Sequence, residues 1–140
     1  MRDTTVYDCT VIEMDKHHSD RKGNITVVEN MKTVPFAVKR AYYLYDVPAG
    51  ESRAGHAHKE LNQLIIAAGG SFDLCLDDGN VKRTYTLNQP NIGLLIVPGI
   101  WRELNNFSSG ATCLVLASQI YDENDYIRDY SQFLTLKNNK

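Results

Sequence analysis

Two histidines one residue apart, His56 and His58, sit in the run GESRAGHAHKELNQLIIAAGG at residues 50–70. In an extended chain successive side chains point to opposite faces, so both imidazoles project from one face. Leu61, Leu64, Ile65 and Ile66 continue into an apolar strand that Gly69 and Gly70 end, and Gly50 opens the run as a turn. Imidazole nitrogens at the head of a buried strand need partners. Three chemistries fit the pair: hydrogen-bonded structural histidines, metal ligation, or proton transfer near neutral pH. A second polar pair, Arg40 and Tyr42, shares a face with Phe36, Val38 and Leu44 in the stretch FAVKRAYYLYD. It reads as a snorkelling arginine with a packed tyrosine, or as the polar lining of a barrel.

These residues need a scaffold, and 140 residues are enough for one domain, 1–140, around one core. A net charge of −2 argues against nucleic-acid or membrane partners selected by bulk charge. No apolar run reaches the roughly 20 residues of a membrane span, and the N-terminus lacks a signal-peptide stretch. Cys9, Cys75 and Cys113 are odd in number and widely spaced, which suits a reducing cytoplasm.

Strands are predicted over Val6–Glu13, Ile25–Glu29, Phe36–Asp46, Ser71–Leu76, Val81–Leu87, Ile92–Val97, Ile100–Leu104 and Ala111–Gln119, besides the 50–70 run. His17–Asn24 reads as a polar turn, and Asp77–Asn80 and Asn88–Asn91 as strand-linking turns. Asp122 is the expected cap of a short helix across Tyr126, Ile127, Tyr130, Phe133 and Leu134, with a frayed tail over Leu136–Lys140. Many short strands and one small helix indicate an all-β sandwich or barrel with a pocket between its sheets.

Gly50, five residues, His56-x-His58, four residues, Gln63, six residues and Gly70 resemble the first signature of the cupins, which are double-stranded β-helix jelly rolls. Gly93-x4-Pro98-Gly99-x2-Arg102-x3-Asn106 resembles the second, one residue shorter on each side. Metal-binding cupins carry Glu where this chain has Gln63, and His where it has Arg102. Arginine has no lone pair to offer and repels a cation, so no metal is expected.

Beyond the signatures, RAYYLYD, RAGHAHKELNQL, LDDGN, VPGIWRELNNFSSGATCLVLAS and YDENDYIRDYSQF resemble the sugar nucleotide 3,4-ketoisomerase (WxcM-like) family across nearly all of the chain after Val34. The resemblance implies an enzyme that moves the carbonyl of dTDP-4-keto-6-deoxy-D-glucose from C4 to C3, for 3-amino-3,6-dideoxyhexose synthesis. It implies no cofactor and a homodimer whose partner contributes to the site. It implies His56 and Tyr42 as catalytic residues, with His58 beside them as shuttle or orienter. Arg40, Arg53, Gln63, Trp101, Arg102 and Glu103 are the implied substrate-binding residues, with Arg40 and Arg53 on the pyrophosphate or the enolate oxygens. The residue after the motif tryptophan is His in some members and Arg in others. Arg102 here points to the gluco product, and a second position bearing on that choice falls at Lys22. Two alternatives stay open: a dTDP-4-keto-6-deoxyglucose 3,5-epimerase, and a non-catalytic cupin that binds a sugar nucleotide.

Overall fold

The computed structural model describes residues 1–139. Its strands are β1 (Thr10–Glu13), β2 (His17–Ser19), β3 (Gly23–Ile25), β4 (Arg40–Leu44), β5 (Arg53–His58), β6 (Gln63–Gly69), β7 (Phe72–Asp77), β8 (Lys82–Leu87), β9 (Ile92–Ile96), β10 (Trp101–Asn105), β11 (Thr112–Ala117) and β12 (Tyr126–Ile127). One α-helix, α1 (Tyr130–Asn138), follows them. The strands form two antiparallel five-stranded sheets, ordered β1-β9-β6-β11-β4 and β12-β5-β10-β7-β8, and β2 pairs with β3 as a separate hairpin. Two facing sheets with these long-range crossovers make the jelly roll expected of a cupin.

Strand parity decides what fills the space between the sheets. From the first sheet Ile65, Ala67, Leu94, Ile96, Cys113 and Val115 point inward and meet Phe72, Leu74, Leu76 and Leu87 of the second. The alternate residues of the first sheet, Leu64, Ile66 and Leu95, point outward. They are buried all the same, beneath Met14, Val34 and Phe36 of the N-terminal segment. This explains why β6 is apolar on both faces although it lies in an antiparallel sheet.

The outer face of the second sheet is closed by α1. Phe133 packs on Ala57, Trp101 and Ile127. The Trp101 indole lies so close to Gly55 that a Cβ there would sit 2.6 Å from the indole nitrogen. Only glycine admits this contact, which locks β5 against β10 just before His56.

Several boundaries differ from the sequence expectations. Regular pairing begins only at Arg40, and Phe36 and Val38 cover the outer face of the first sheet instead of continuing the inner face of β4. Val6–Asp8 is a 3₁₀ turn, and β1 starts at Thr10. His17–Ile25 is a hairpin and not only a turn, and no strand runs from Thr26 to Glu29. Asp122 caps only the 3₁₀ turn Glu123–Asp125, and the helix starts at Tyr130 under an Asp129 cap. The 136–139 stretch is mostly the last turn of α1, with Lys137 Nζ donating to the Arg2 and Thr4 carbonyls; Lys140 lies outside the described residues. Among the described residues no helix is long and apolar enough to cross a membrane.

Candidate active site

At one end of the sandwich the apolar filling gives way to a cleft of about 670 Å³. Arg40, Tyr42 and Leu44 line it from β4, Gln63 and Ile65 from β6, and Val115 from β11. Arg53 and His56 of β5 and Arg102 and Leu104 of β10 line the opposite wall, and Tyr121, Tyr126 and Arg128 close its rim. The volume is that of a small-molecule site.

The register builds the polar centre. Across the first sheet Tyr42 lies opposite Val115, and Gln63 opposite Ala117, so small and branched neighbours leave the polar groups room. On the second sheet Arg102 is the cross-strand partner of His56. The Arg102 side chain is 2% exposed and makes no ion pair among the described residues. Its Nε and Nη2 donate to the Ile100 carbonyl at 3.2 and 2.9 Å. Its Nη1 donates to Gln63 Oε1, and Gln63 Nε2 in turn donates to the Tyr42 hydroxyl at 3.2 Å. The Tyr42 oxygen therefore accepts a bond from behind and keeps its own proton for the cleft.

Protonation states follow from burial and charge. Burial lowers the Arg102 guanidinium to about 10, which still leaves it a cation at neutral pH. Burial pushes the Tyr42 phenol up, so it stays protonated. His56 is pushed down to about 3 by burial first and then by Arg102 and Arg128, so it is a neutral imidazole. Its Nε2 is buried without a hydrogen-bond partner. A neutral imidazole, a phenol proton and an uncompensated cation thus surround one space.

His58 does not line the cleft. It is fully buried behind His56, with the two rings edge to face at 4.9 Å. Its Nδ1 lies 3.0 Å from Asp125 Oδ2. Trp101 and Glu103 also lie outside the cleft, contrary to expectation: Trp101 Nε1 donates to Glu103 at 3.2 Å on the outer face, where both border a small cavity with Tyr130. The physical reason is strand parity, since both alternate with Arg102 along β10. Lys22, in the turn of the β2–β3 hairpin, is not among the lining residues either.

Residues 121–128 supply groups that the sequence reading missed. Because β12 pairs with β5, Tyr126 lies opposite His58 and its ring centre is 4.4 Å from the His58 ring. Arg40 Nη2 donates to the Tyr126 hydroxyl at 3.3 Å, and the Arg128 guanidinium lies 4.3 Å above its ring. Glu123 holds Arg128 by two hydrogen bonds of 2.7 and 2.9 Å, and Tyr121 also donates to Glu123. The available signal was the order Tyr126-Ile127-Arg128, in which one buried apolar residue separates two polar ones, as in a strand.

The fold and the signature residues together define a cupin. A family model described as "FdtA: WxcM-like, C-terminal" matches residues 7–138, and the chain belongs to that family. A TDP-4-oxo-6-deoxy-alpha-D-glucose-3,4-oxoisomerase from Aneurinibacillus thermoaerophilus is 44% identical over 114 residues, covering 81% of this chain and 82% of that protein. The crystal structure of a 3,4-ketoisomerase from Helicobacter canadensis superposes with a TM-score of 0.91 at 46% identity, over 94% of this chain and 98% of that one. A TDP-quinovose 3,4-ketoisomerase from Campylobacter jejuni gives a TM-score of 0.87 at 43% identity, over 93% and 99%.

Proposed function

We propose that this protein is an isomerase that converts dTDP-4-keto-6-deoxy-D-glucose into the 3-keto sugar. The observation that carries the reading is the cluster of His56, Tyr42 and the unpaired, buried Arg102 around one cleft. The similarity to the TDP-4-oxo-6-deoxy-alpha-D-glucose-3,4-oxoisomerase supplies the substrate class, and that to the 3,4-ketoisomerases the reaction.

The ketone at C4 acidifies the C3 hydrogen. Neutral His56 removes that proton, and the C3–H electron pair becomes the C3–C4 double bond of an enediolate. Negative charge grows on O4 as this happens. Tyr42 donates its proton to O4, and the Arg102 charge favours the anionic transition state. His56 then returns its proton to C4 while O3 gives a proton back to Tyr42, which leaves the carbonyl at C3. Atoms and electrons balance within the sugar, so the reaction consumes no redox equivalent. The depressed basicity of His56 suits the second half, in which its imidazolium gives the proton up. Arg40 and Arg53 on the walls offer cations to the pyrophosphate.

The donor set argues against a divalent ion as a participant. Gln63 Oε1 is engaged by Arg102, His58 Nδ1 by Asp125, and a guanidinium occupies the centre. A second copy of the chain is the partner this reading assigns to complete the site. Arg102 cannot titrate between the faces of the enediolate. This favours return of the proton from the His56 side and the gluco product, in keeping with the quinovose-named relative. The test is a coupled assay: incubation with dTDP-4-keto-6-deoxyglucose and a sugar nucleotide 3-aminotransferase yields a 3-amino sugar if the reading holds. A 4-amino sugar or unchanged substrate contradicts it.

A further inference from the structure

Asp125 stands outside the cleft lining, yet its side chain is tied down on both oxygens. Oδ1 accepts the Glu60 amide at 2.8 Å, and Oδ2 faces His58 Nδ1 at 3.0 Å. The Asp125 carbonyl also accepts the Lys59 amide, and the Gly99 amide donates to the His58 carbonyl, so the backbone on both sides of the contact is fixed. The His58 ring has no exposed surface, and Asp125 is 7% exposed. Burial raises the Asp125 carboxyl and the Glu60 and Leu61 amides act against that rise; as a carboxylate it only accepts hydrogen bonds, which puts the proton of neutral His58 on Nδ1. Its Nε2 is then a bare lone pair.

That lone pair is buried and without a hydrogen-bond partner. A buried, unsatisfied ring nitrogen costs stability, and such groups are retained where another state of the molecule uses them. The neighbouring imidazole is that of His56, edge to face at 4.9 Å, and its Nε2 is unsatisfied too. The other polar neighbour, Tyr126, contacts both imidazoles through its ring, and its hydroxyl oxygen accepts from Arg40. Within the proton-transfer reading, the resting pair has two unsatisfied nitrogens beside the place where the substrate proton is taken up.

We propose that Asp125 is a positioning residue of the site: it holds His58 as the neutral Nδ1–H tautomer, so that an uncharged acceptor stands beside His56 while His56 carries the substrate proton. With the opposite tautomer an N–H donor would face the imidazolium, and proton uptake would be opposed where Arg102 already opposes it. The proposal rests on the isomerase reading only for its effect on rate.

The test is ¹⁵N-histidine NMR on the full-length protein without substrate, followed by the same spectrum and steady-state kinetics for Asp125→Asn. Unmodified protein is expected to show His58 as the Nδ1–H tautomer. In Asp125→Asn the proton is expected to move to Nε2, with kcat down about 10-fold or more and KM within about threefold. An Nε2–H tautomer in the unmodified protein overturns the proposal, as does a folded Asp125→Asn whose kcat is within twofold of the parent. If Asp125→Asn does not fold, the spectrum of the unmodified protein still decides the tautomer, and His58→Phe, which removes the acceptor and keeps the ring, reads the rate. Turnover by His58→Phe within twofold of the parent also overturns it. The expected tautomer in a protein with no isomerase activity contradicts the functional reading and not the tautomer assignment.

Discussion

His56 on β5 stands directly across from Arg102 on β10. A base and a permanent cation side by side weaken the base, and burial weakens it further. In the proposed reaction the same cation attracts the enediolate that deprotonation creates. One cross-strand pair therefore keeps His56 neutral and, in the proposed reaction, favours the charge that appears when His56 acts as the base.

Replacing His56 with Asn is expected to lower kcat by about 10²–10⁴ with the fold retained. Steady-state kinetics and far-ultraviolet circular dichroism check this together. Near-normal turnover by a folded variant places the base elsewhere.

The depressed basicity of His56 also predicts how stability depends on pH. The unfolded imidazole titrates at 6.5 and the folded one at about 3, so the unfolded chain binds more protons between those values. The contribution is complete above 6.5 and is lost as pH falls through the window toward about 3. The urea midpoint should drop between about pH 7.5 and pH 5, and by less in His56→Asn than in the parent. Equal drops in both proteins contradict the assignment.

Exhaustive chelation should leave activity unchanged, because Gln63 and the Arg102 guanidinium stand where a metal site needs two further ligands. Loss of activity on chelation, restored by one added metal, contradicts that reading.

The configuration at C4 reports which face of the enediolate receives the proton. With Arg102 unable to act as a proton shuttle, the 3-amino derivative of the product is expected to show an axial H4 with large couplings to H3 and H5. Small H4 couplings, from an axial hydroxyl, overturn the gluco assignment and leave the isomerase reading intact.

Much of this was legible in the chain because strand parity is a local rule. The alternation around His56 and His58 put both on one face, and Arg40 and Tyr42 share the cleft wall as their spacing implies. The same rule, applied to β10, separates Trp101 and Glu103 from Arg102, and the motif resemblance had hidden that conflict. Other features depended on tertiary contacts that local pattern does not report. Phe36 and Val38 look like the start of β4, but the first sheet offers its outer face, and they cover that instead. The 121–128 stretch holds cap residues and apolar residues at helical spacing. Pairing of β12 with the exposed edge of β5 overrides that tendency, and this brings Tyr126 over the histidines.

The migration of the carbonyl itself is read by ¹³C NMR of dTDP-4-keto-6-deoxyglucose labelled at C3 and C4 and incubated with the protein alone. The expected result is loss of the C4 ketone signal, or of its hydrate, with a new ketone or hydrate signal at C3 and a proton now bonded to C4. A spectrum in which the carbonyl stays at C4, whether the sugar is untouched or only epimerised at C3 or C5, contradicts the isomerase assignment.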